Sequence, residues 1–149
     1  MSDDTQPRTL ARRSAMQAIY QWQLTRYDLS EIERQFVEEH GLGNADVAYF
    51  NELLHEVPKQ LDVIDAALSE FVDRSIASID PVERSVLRIG VYELLFHPEL
   101  PYRVILNESI NLAKVYGAAH GHKYINGILD RVAHKTRALE IAAAGKKRR

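Results

Sequence analysis

A run of apolar residues spaced alternately by three and four positions limits what this chain can fold into more than any other feature. Its members are Val47, Phe50, Leu54, Val57, Leu61, Ile64, Leu68 and Phe71. This spacing places every member on one face of an α-helix, whereas a β-strand needs strict alternation. Pro58 interrupts the run, and proline removes a backbone donor and clashes with the preceding turn. The pattern therefore predicts two consecutive helices, or one kinked helix, packed inside a helical bundle.

Helical periodicity also governs the rest of the chain, and no segment shows the convincing alternation of a strand. The first helix is predicted from about Thr9 to Arg26. Its core stripe consists of Ala11, Ala15, Ala18 and Trp22. Another face of the same helix carries Arg13, Gln17 and Tyr20. Trp22 is therefore assigned to the core, and the chain to the all-α class with about seven helices.

Helix-start signals support these assignments. Ser30, with Glu33 three residues later, forms a capping-box pattern that predicts the start of the second helix. Asp80 followed by Pro81 is a stronger signal, because Asp is a favourable N-cap and Pro fits the first turn. The helix that follows, over residues 82–96, is apolar on nearly every face. We expect it to be the buried central helix.

Charge is distributed unevenly along the chain, although the net formal charge is only −2. Residues 28–70 hold eleven acids and two bases, whereas residues 100–149 hold ten bases and three acids. A smaller basic group precedes the acidic stretch: Arg8, Arg12, Arg13 and Arg26. Such polarity suggests that the two ends meet a polyanion while the middle faces another partner. An unevenly charged, solvated surface is the alternative interpretation.

Signatures of catalysis and metal binding are missing from the sequence. There are no cysteines, and no GxxxxGK[ST], GxGxxG, HExxH or GxSxG motif. His120 and His122 are two residues apart, a spacing that splays the rings on a helix. We therefore expect no catalytic residue, no metal site and no cofactor. The first residues lack a signal-peptide core, and no stretch approaches the roughly 20 apolar residues of a membrane span, so a cytoplasmic protein is expected.

Two groups of cationic and aromatic residues are candidates for RNA binding. The first lies at the start of the first helix and contains Arg8, Arg12, Arg13, Gln17 and Tyr20. The second surrounds the start of the last helix and contains Lys114, Tyr116, His120, His122, Lys123 and Tyr124. Guanidinium groups neutralise phosphates, and aromatic rings stack on unpaired bases. A helix N-terminus adds backbone donors for phosphate.

Four longer strings are too specific for a generic helical bundle. They are ARRSAMQAIYQWQL (11–24), ERSVLRIGVYEL (83–94), PYRVILNESINLAKVYG (101–117) and HKYINGILDRVA (122–133). In this order and at these separations they resemble the NusB transcription antitermination family, over about residues 8–137. The resemblance implies two small helical bundles packed on each other.

The resemblance also sets the expected organisation of the chain. We predict a flexible N-terminus over residues 1–7 and one helical RNA-binding domain over residues 8–137. Its subdomains would span about residues 8–56 and 57–137. A basic C-terminal tail would follow over residues 138–149, and its last part, AAAGKKRR (142–149), is expected to fray.

A function is implied by the same resemblance. NusB-family proteins pair with NusE, a ribosomal small-subunit protein that doubles as a transcription factor. The pair binds the boxA element of ribosomal RNA leader transcripts, expected here to be single-stranded, and helps RNA polymerase to resist termination. Both residue groups described above would then contact RNA, and Glu83 would face NusE.

Two alternatives stay open on the sequence alone. NusB-like domains also serve as the RNA-binding part of ribosomal RNA methyltransferases, although 149 residues leave no room for an α/β methyltransferase domain. The other alternative is a weak homodimer built on the apolar run over residues 47–71.

The loop before His122 yields a first prediction. It commonly carries acids in related sequences, but here it reads Ala118-Ala119-His120-Gly121. We expect His120→Asp to weaken RNA binding, because it adds negative charge near phosphate and removes a ring that can be protonated. A titration at low salt measures this, and an unchanged affinity would contradict the prediction.

Overall fold

A computed structural model describes residues 6–117 and 121–147, without the side chains of residues 146 and 147. Its α-helices are α1 (Pro7–Thr25), α2 (Leu29–Arg34), α3 (Val47–Lys59), α4 (Leu61–Ser69), α5 (Pro81–Phe96), α6 (Tyr102–Tyr116), α7 (Gly121–Thr136) and α8 (Ala138–Lys147). A π-helical segment, Gln35–His40, continues α2, and a 3₁₀ turn, Ile76–Ser78, precedes α5. The all-α prediction is confirmed, with eight α-helices in the described ranges instead of about seven. Within those ranges, no helix is both long and apolar enough to cross a membrane.

The apolar run over residues 47–71 forms two consecutive helices, as predicted. The break falls at Gln60, two residues after Pro58, where the backbone leaves helical geometry. The buried members of the run are Phe50, Leu54, Val57, Ile64 and Leu68. Val47, at the start of α3, is instead 41% exposed. The run therefore packs inside the bundle mainly through its middle, as the spacing indicated.

Carboxylate side chains cap three of the described helices, α2, α3 and α5. The Asp80 carboxylate accepts hydrogen bonds from the backbone N–H groups of Val82 (3.1 Å) and Glu83 (3.2 Å), as the sequence predicted for α5. The predicted capping box at Ser30 is wrong, because α2 begins one residue earlier. Asp28 is the cap, and its Oδ1 accepts from the backbone N–H of Ser30 at 2.8 Å.

Helix α5 is the centre of the fold. All of its residues from 85 to 94 are buried, and it packs against α1, α3, α4, α6 and α7. Helices α1, α2 and α3 contact one another on one side, while α4, α6 and α7 pack on the other. The extensive α1–α5 contact joins the two bundles. The predicted subdomain boundary between residues 56 and 57 stays a prediction.

A buried carboxylate in the last turn of α5 connects three helices. Glu93 is 0% exposed, and the Arg12 guanidinium of α1 pairs with it at 2.8 Å. The Tyr49 hydroxyl of α3 donates to the same carboxylate. Burial alone would lower the pKa of Arg12, but Glu93 outweighs it and raises that pKa. Arg12 is only 3% exposed, so its predicted role as an RNA contact is corrected to one in the core.

A further arginine is buried against acceptors from distant elements. Arg88 of α5 donates to both carboxylate oxygens of Asp65 in α4, at 3.0 and 2.8 Å. It also donates to the Gln23 side chain of α1 at 2.9 Å. These contacts tie α1, α4 and α5 together. Buried guanidinium groups need such partners, because an unpaired charge in the interior is very costly.

The predicted basic tail begins as a helix, because α8 runs from Ala138 to Lys147. Arg137, just before it, donates to the carbonyls of Leu94 (2.9 Å) and His97 (2.8 Å) at the end of α5. Glu140 of α8 accepts from the backbone N–H of Tyr102 at 2.9 Å. The start of α8 is therefore bonded both to the end of α5 and to the start of α6.

The buried Arg12–Glu93 pair predicts an effect on the stability of the fold. Arg12→Ala should reduce the free energy of unfolding by about 3–5 kcal/mol, because it leaves the Glu93 carboxylate buried without its cation. Urea denaturation of both proteins measures the loss. Arg131→Ala, at an exposed position on α7, is the control and should change stability by no more than about 0.5 kcal/mol. Equal, small losses in the two variants would show that the pair does not hold the core.

Candidate nucleic-acid interface

One predicted group of RNA contacts remains on α1 after Arg12 is set aside. We call Arg8, Arg13, Gln17 and Tyr20 the α1 surface. Arg8 is exposed, Gln17 is exposed, and Arg13 and Tyr20 are half-buried. The Arg8 guanidinium lies 4.3 Å from the centre of the Tyr49 ring, a cation–π contact. This contact holds the cation at the start of α1.

The second group lies where α6 ends and α7 begins. We call Lys114, Tyr116, His122, Lys123 and Tyr124 the α6–α7 surface. Lys114 and Lys123 are exposed, and the three rings are half-buried. Helix α6 ends at Gly117, as the sequence predicted. His120, the remaining predicted contact, lies outside the described residues.

Within the part of the chain that the structure describes, a side-chain hydrogen bond joins the two surfaces. Gln17 donates through Nε2 to the Tyr116 hydroxyl oxygen at 3.1 Å, across 99 positions of the chain. The same amide nitrogen also donates to the Arg13 carbonyl at 3.3 Å. Gln17 and Tyr116, which the sequence placed in separate groups, are therefore neighbours where α1 meets α6.

An open, mainly apolar groove borders this junction of α1 and α6. Its volume is about 540 Å³, and we call it the α1 groove. It is lined by Met16, Gln17, Tyr20, Gln21, Leu24, Thr25, Phe36, Val82 and Tyr116. Leu24 is 55% exposed, which is unusual for a large apolar side chain on a core helix. Sequence analysis missed the groove, because its walls come from α1, the π-helical segment, α5 and α6.

Glu83, the predicted partner contact, is half-buried and faces the first turn of α7. Its Oε1 lies 2.4 Å from the position that a β-carbon on residue 121 would occupy, so only a glycine there allows the approach. Burial and the nearby Asp80 charge raise the pKa of Glu83. A carboxylate at a helix N-terminus is favourable, but it opposes the phosphate binding predicted for that end of α7.

The other end of the α6–α7 surface is built around Tyr124. The Arg74 guanidinium lies 4.9 Å from the centre of the Tyr124 ring. Arg74 also donates to the Asp73 carboxylate at 2.9 Å and lowers the pKa of that group. The sequence analysis missed Arg74, because it lies in the connection after α4 and shares no helical face with α7.

A histidine lies beneath the α1 surface. His97 places Nε2 at 2.5 Å from a Glu52 oxygen and Nδ1 at 2.7 Å from a Glu99 oxygen. Its ring also contacts the ring of Tyr49, the residue on which Arg8 lies. Burial alone would lower the pKa of His97, but the hydrogen bonds to Glu99 and Glu52 outweigh it and raise that pKa.

The fold and the joined surfaces define a class of protein: a small helical bundle that carries cationic, amide and aromatic groups where α1 meets α6, a combination suited to a polyanion. A model of the NusB family matches residues 9–134, and the chain therefore belongs to the NusB family.

Known relatives agree with this assignment. The transcription antitermination protein NusB of Nitrosococcus oceani is 51% identical over 95% of this chain and 95% of its own length. Its counterpart in Methylococcus capsulatus is 45% identical over 91% of this chain and 96% of its own length.

Solved structures share the fold. T. maritima NusB superposes with a TM-score of 0.75 at 32% identity, covering 86% of this chain and 91% of that one. A chain from a crystal structure of the antitermination factors NusB and NusE in complex with double-stranded RNA gives a TM-score of 0.78 at 28% identity. That match covers 86% of this chain and 96% of the other.

The His97 contacts predict a pH dependence of stability. Because the folded-state pKa of His97 is raised, its contribution is complete below the ordinary pKa of about 6.5 and is lost as pH rises through the folded-state value. The urea midpoint should therefore fall over that interval, and His97→Gln should flatten the fall. His134→Gln, at an exposed histidine of α7, is the control and should keep the wild-type profile. Identical profiles for all three proteins would rule out this role of His97.

Proposed function

We propose that this chain is a non-catalytic transcription antitermination factor that acts in the cytoplasm. With the ribosomal protein NusE, it would bind boxA-type RNA in ribosomal RNA leader transcripts and suppress premature termination by RNA polymerase. The observation that carries the proposal is the Gln17–Tyr116 hydrogen bond, which joins two cationic and aromatic surfaces of a NusB-family chain. Relatives that match nearly the whole chain are antitermination proteins.

The α1 surface is suited to phosphate. Arg8 is exposed and held on the Tyr49 ring, so less side-chain freedom is lost when it meets an anion. Further along α1, Gln17 and Tyr116 add an amide and a ring, groups that read base edges and stack on unpaired bases. Lys114 and Lys123 extend the positive charge along the α6–α7 surface. Binding should therefore be sensitive to salt.

The α1 groove is suited to a protein partner. It is mainly apolar, and Val82, which lines it, is followed by the carboxylate of Glu83. A partner that presents apolar side chains beside a basic group would match both features. We assign this site to NusE. Gln17 and Tyr116 belong both to the groove and to the joined RNA surfaces, so RNA and partner would meet along a common edge.

That common edge gives the proposal its mechanism. Two weak RNA surfaces held on one rigid heterodimer bind a strand more tightly than either alone, because the second contact becomes intramolecular.

The solved complex of NusB and NusE contains double-stranded RNA, whereas the stacking argument favours single strands. The RNA-binding domain of a ribosomal RNA methyltransferase is the less favoured role, because the relatives quoted above are antitermination proteins.

A gel-shift comparison tests the proposal. It uses a boxA-type single strand, the same sequence as a duplex, and a scrambled single strand, each with and without NusE at a stated salt concentration. NusE should tighten binding to the boxA single strand by about tenfold or more, a coupling of about 1.4 kcal/mol. The scrambled strand should barely gain.

Variants sharpen the same experiment. Gln17→Ala should weaken binding to boxA RNA, because it breaks the bond that aligns the two surfaces. Arg103→Ala, at an exposed position in the first turn of α6, serves as the basic control. Equal gains for boxA and scrambled RNA would show that the sequence specificity is wrong. Failure of every RNA to bind, with or without NusE, would overturn the proposal.

A further inference from the structure

A second groove runs along the outer face of α7, where the end of α4 packs against it. It consists of two adjoining hollows of about 350 and 450 Å³ that share Phe71 and Arg131. Tyr124 and Lys123 line its first part, and Lys135 lines its last part. We call it the α7 groove. None of the contacts assigned above to RNA or NusE accounts for Phe71, Arg131 or Lys135.

In the described part of the chain, two of its three lysine and arginine side chains are unpaired, whereas Lys135 donates to both carboxylate oxygens of Glu70 at 2.6 Å, and one of its two acids is neutralised. Lys123 and Arg131 are exposed and form no hydrogen bond or ion pair within residues 6–117 and 121–147. Asp73 is bonded to Arg74 at 2.9 Å. The remaining carboxylate of the lining, on Asp130, lies 3.5 Å from a nitrogen of His134. The groove therefore offers unpaired positive charge to an incoming anion.

Aromatic rings accompany the cations. Phe71 and Tyr124 are both half-buried, and each therefore keeps part of its surface exposed. Arg74 lies against the Tyr124 ring at 4.9 Å and adds a planar cation beside it. Rings that alternate with cations along a track are characteristic of single-strand binding, where bases stack and phosphates are neutralised. An apolar protein surface would match these separated charges poorly.

The groove is continuous with the proposed RNA site. Tyr124 and Lys123 belong both to the α6–α7 surface and to the first hollow. From Tyr124 to Lys135, eleven residues further along α7, the helix rises by about 16 Å. That length accommodates a short run of nucleotides leaving the α6–α7 surface.

We propose that the α7 groove binds single-stranded RNA flanking the boxA element, as a continuation of the strand on the α6–α7 surface. This inference rests on the function proposed above and extends its binding site. It assigns Arg131 to a flanking phosphate, beyond Lys123 of the α6–α7 surface, and Phe71 to base stacking. It also predicts that flanking nucleotides add affinity without adding sequence specificity, because neither phosphates nor ring faces distinguish one base from another.

Gly127 provides a way to test the groove without disturbing the fold. It lies in the first hollow, and a β-carbon built on it meets no atom within 4 Å. A side chain there is accommodated, and it favours the helix relative to glycine. Gly127→Glu places a carboxylate in the RNA path, while Gly127→Gln adds nearly the same volume without charge. Equal melting temperatures of the two variants would show that both are folded.

The experiment uses the full chain bound to NusE and two RNAs: the minimal boxA strand, and the same strand extended at both ends by uridines. Wild-type protein should bind the extended strand about five- to tenfold more tightly. Gly127→Glu should abolish that gain, and Gly127→Gln should keep most of it. The plot of log affinity against log salt should steepen by about 0.7 on extension, for one added phosphate at Arg131, and should not steepen in Arg131→Ala.

The outcomes separate this inference from the function on which it rests. All variants should bind the minimal boxA strand equally. No gain from extension in wild-type protein, or an equal gain in Gly127→Glu, would show that the α7 groove does not bind flanking RNA. Either result would leave the proposed function intact. Loss of NusE binding in Gly127→Glu, with the tighter binding of the extended RNA retained, would show that the α7 groove is instead a protein interface. Failure to bind the minimal strand would instead overturn the proposed function.

Discussion

The buried Glu93 carboxylate in the last turn of α5 constrains the packing of the whole molecule. A charge taken fully out of water is tolerated only when cations and donors surround it, and Glu93 is 0% exposed. Arg12 supplies the cation from α1, and Tyr49 supplies a hydroxyl from α3. Each must arrive at one position along its helix, so the pair sets the register of α1 and α3 against α5. Apolar side chains alone would allow several such arrangements.

The same interaction positions the surface that faces solvent. Tyr49 donates to Glu93 through its hydroxyl and carries Arg8 on its ring, so one residue links the core to an exposed cation. Thr9, next to Arg8, donates to Glu108 of α6 at 2.8 Å. With α1 held against α6 in this way, Gln17 reaches the Tyr116 hydroxyl. The candidate interface is thus aligned by contacts that lie beneath it.

Local patterns predicted what depends on local physics. The all-α class, the helix break near Pro58, the Asp80 cap and the core position of Trp22 all follow from spacing and capping chemistry. Arg12 was wrongly predicted to contact RNA, because it was grouped with its basic neighbours in the sequence. Met16 and Ile19, four and seven residues later, are buried and mark the stripe to which it belongs. The long-range bond from Gln17 to Tyr116 has no local signature, because its partners lie 99 positions apart.

The hydrogen bonds of Arg137 indicate how much of the chain the folded protein needs. The family model stops at residue 134, yet the guanidinium three positions later is 7% exposed and bonds carbonyls of Leu94, His97 and Leu100. These carbonyls at and after the end of α5 would otherwise depend on water. A chain shortened to the family limit would leave them without that donor. The folded protein should therefore need residues beyond the limit of the family model.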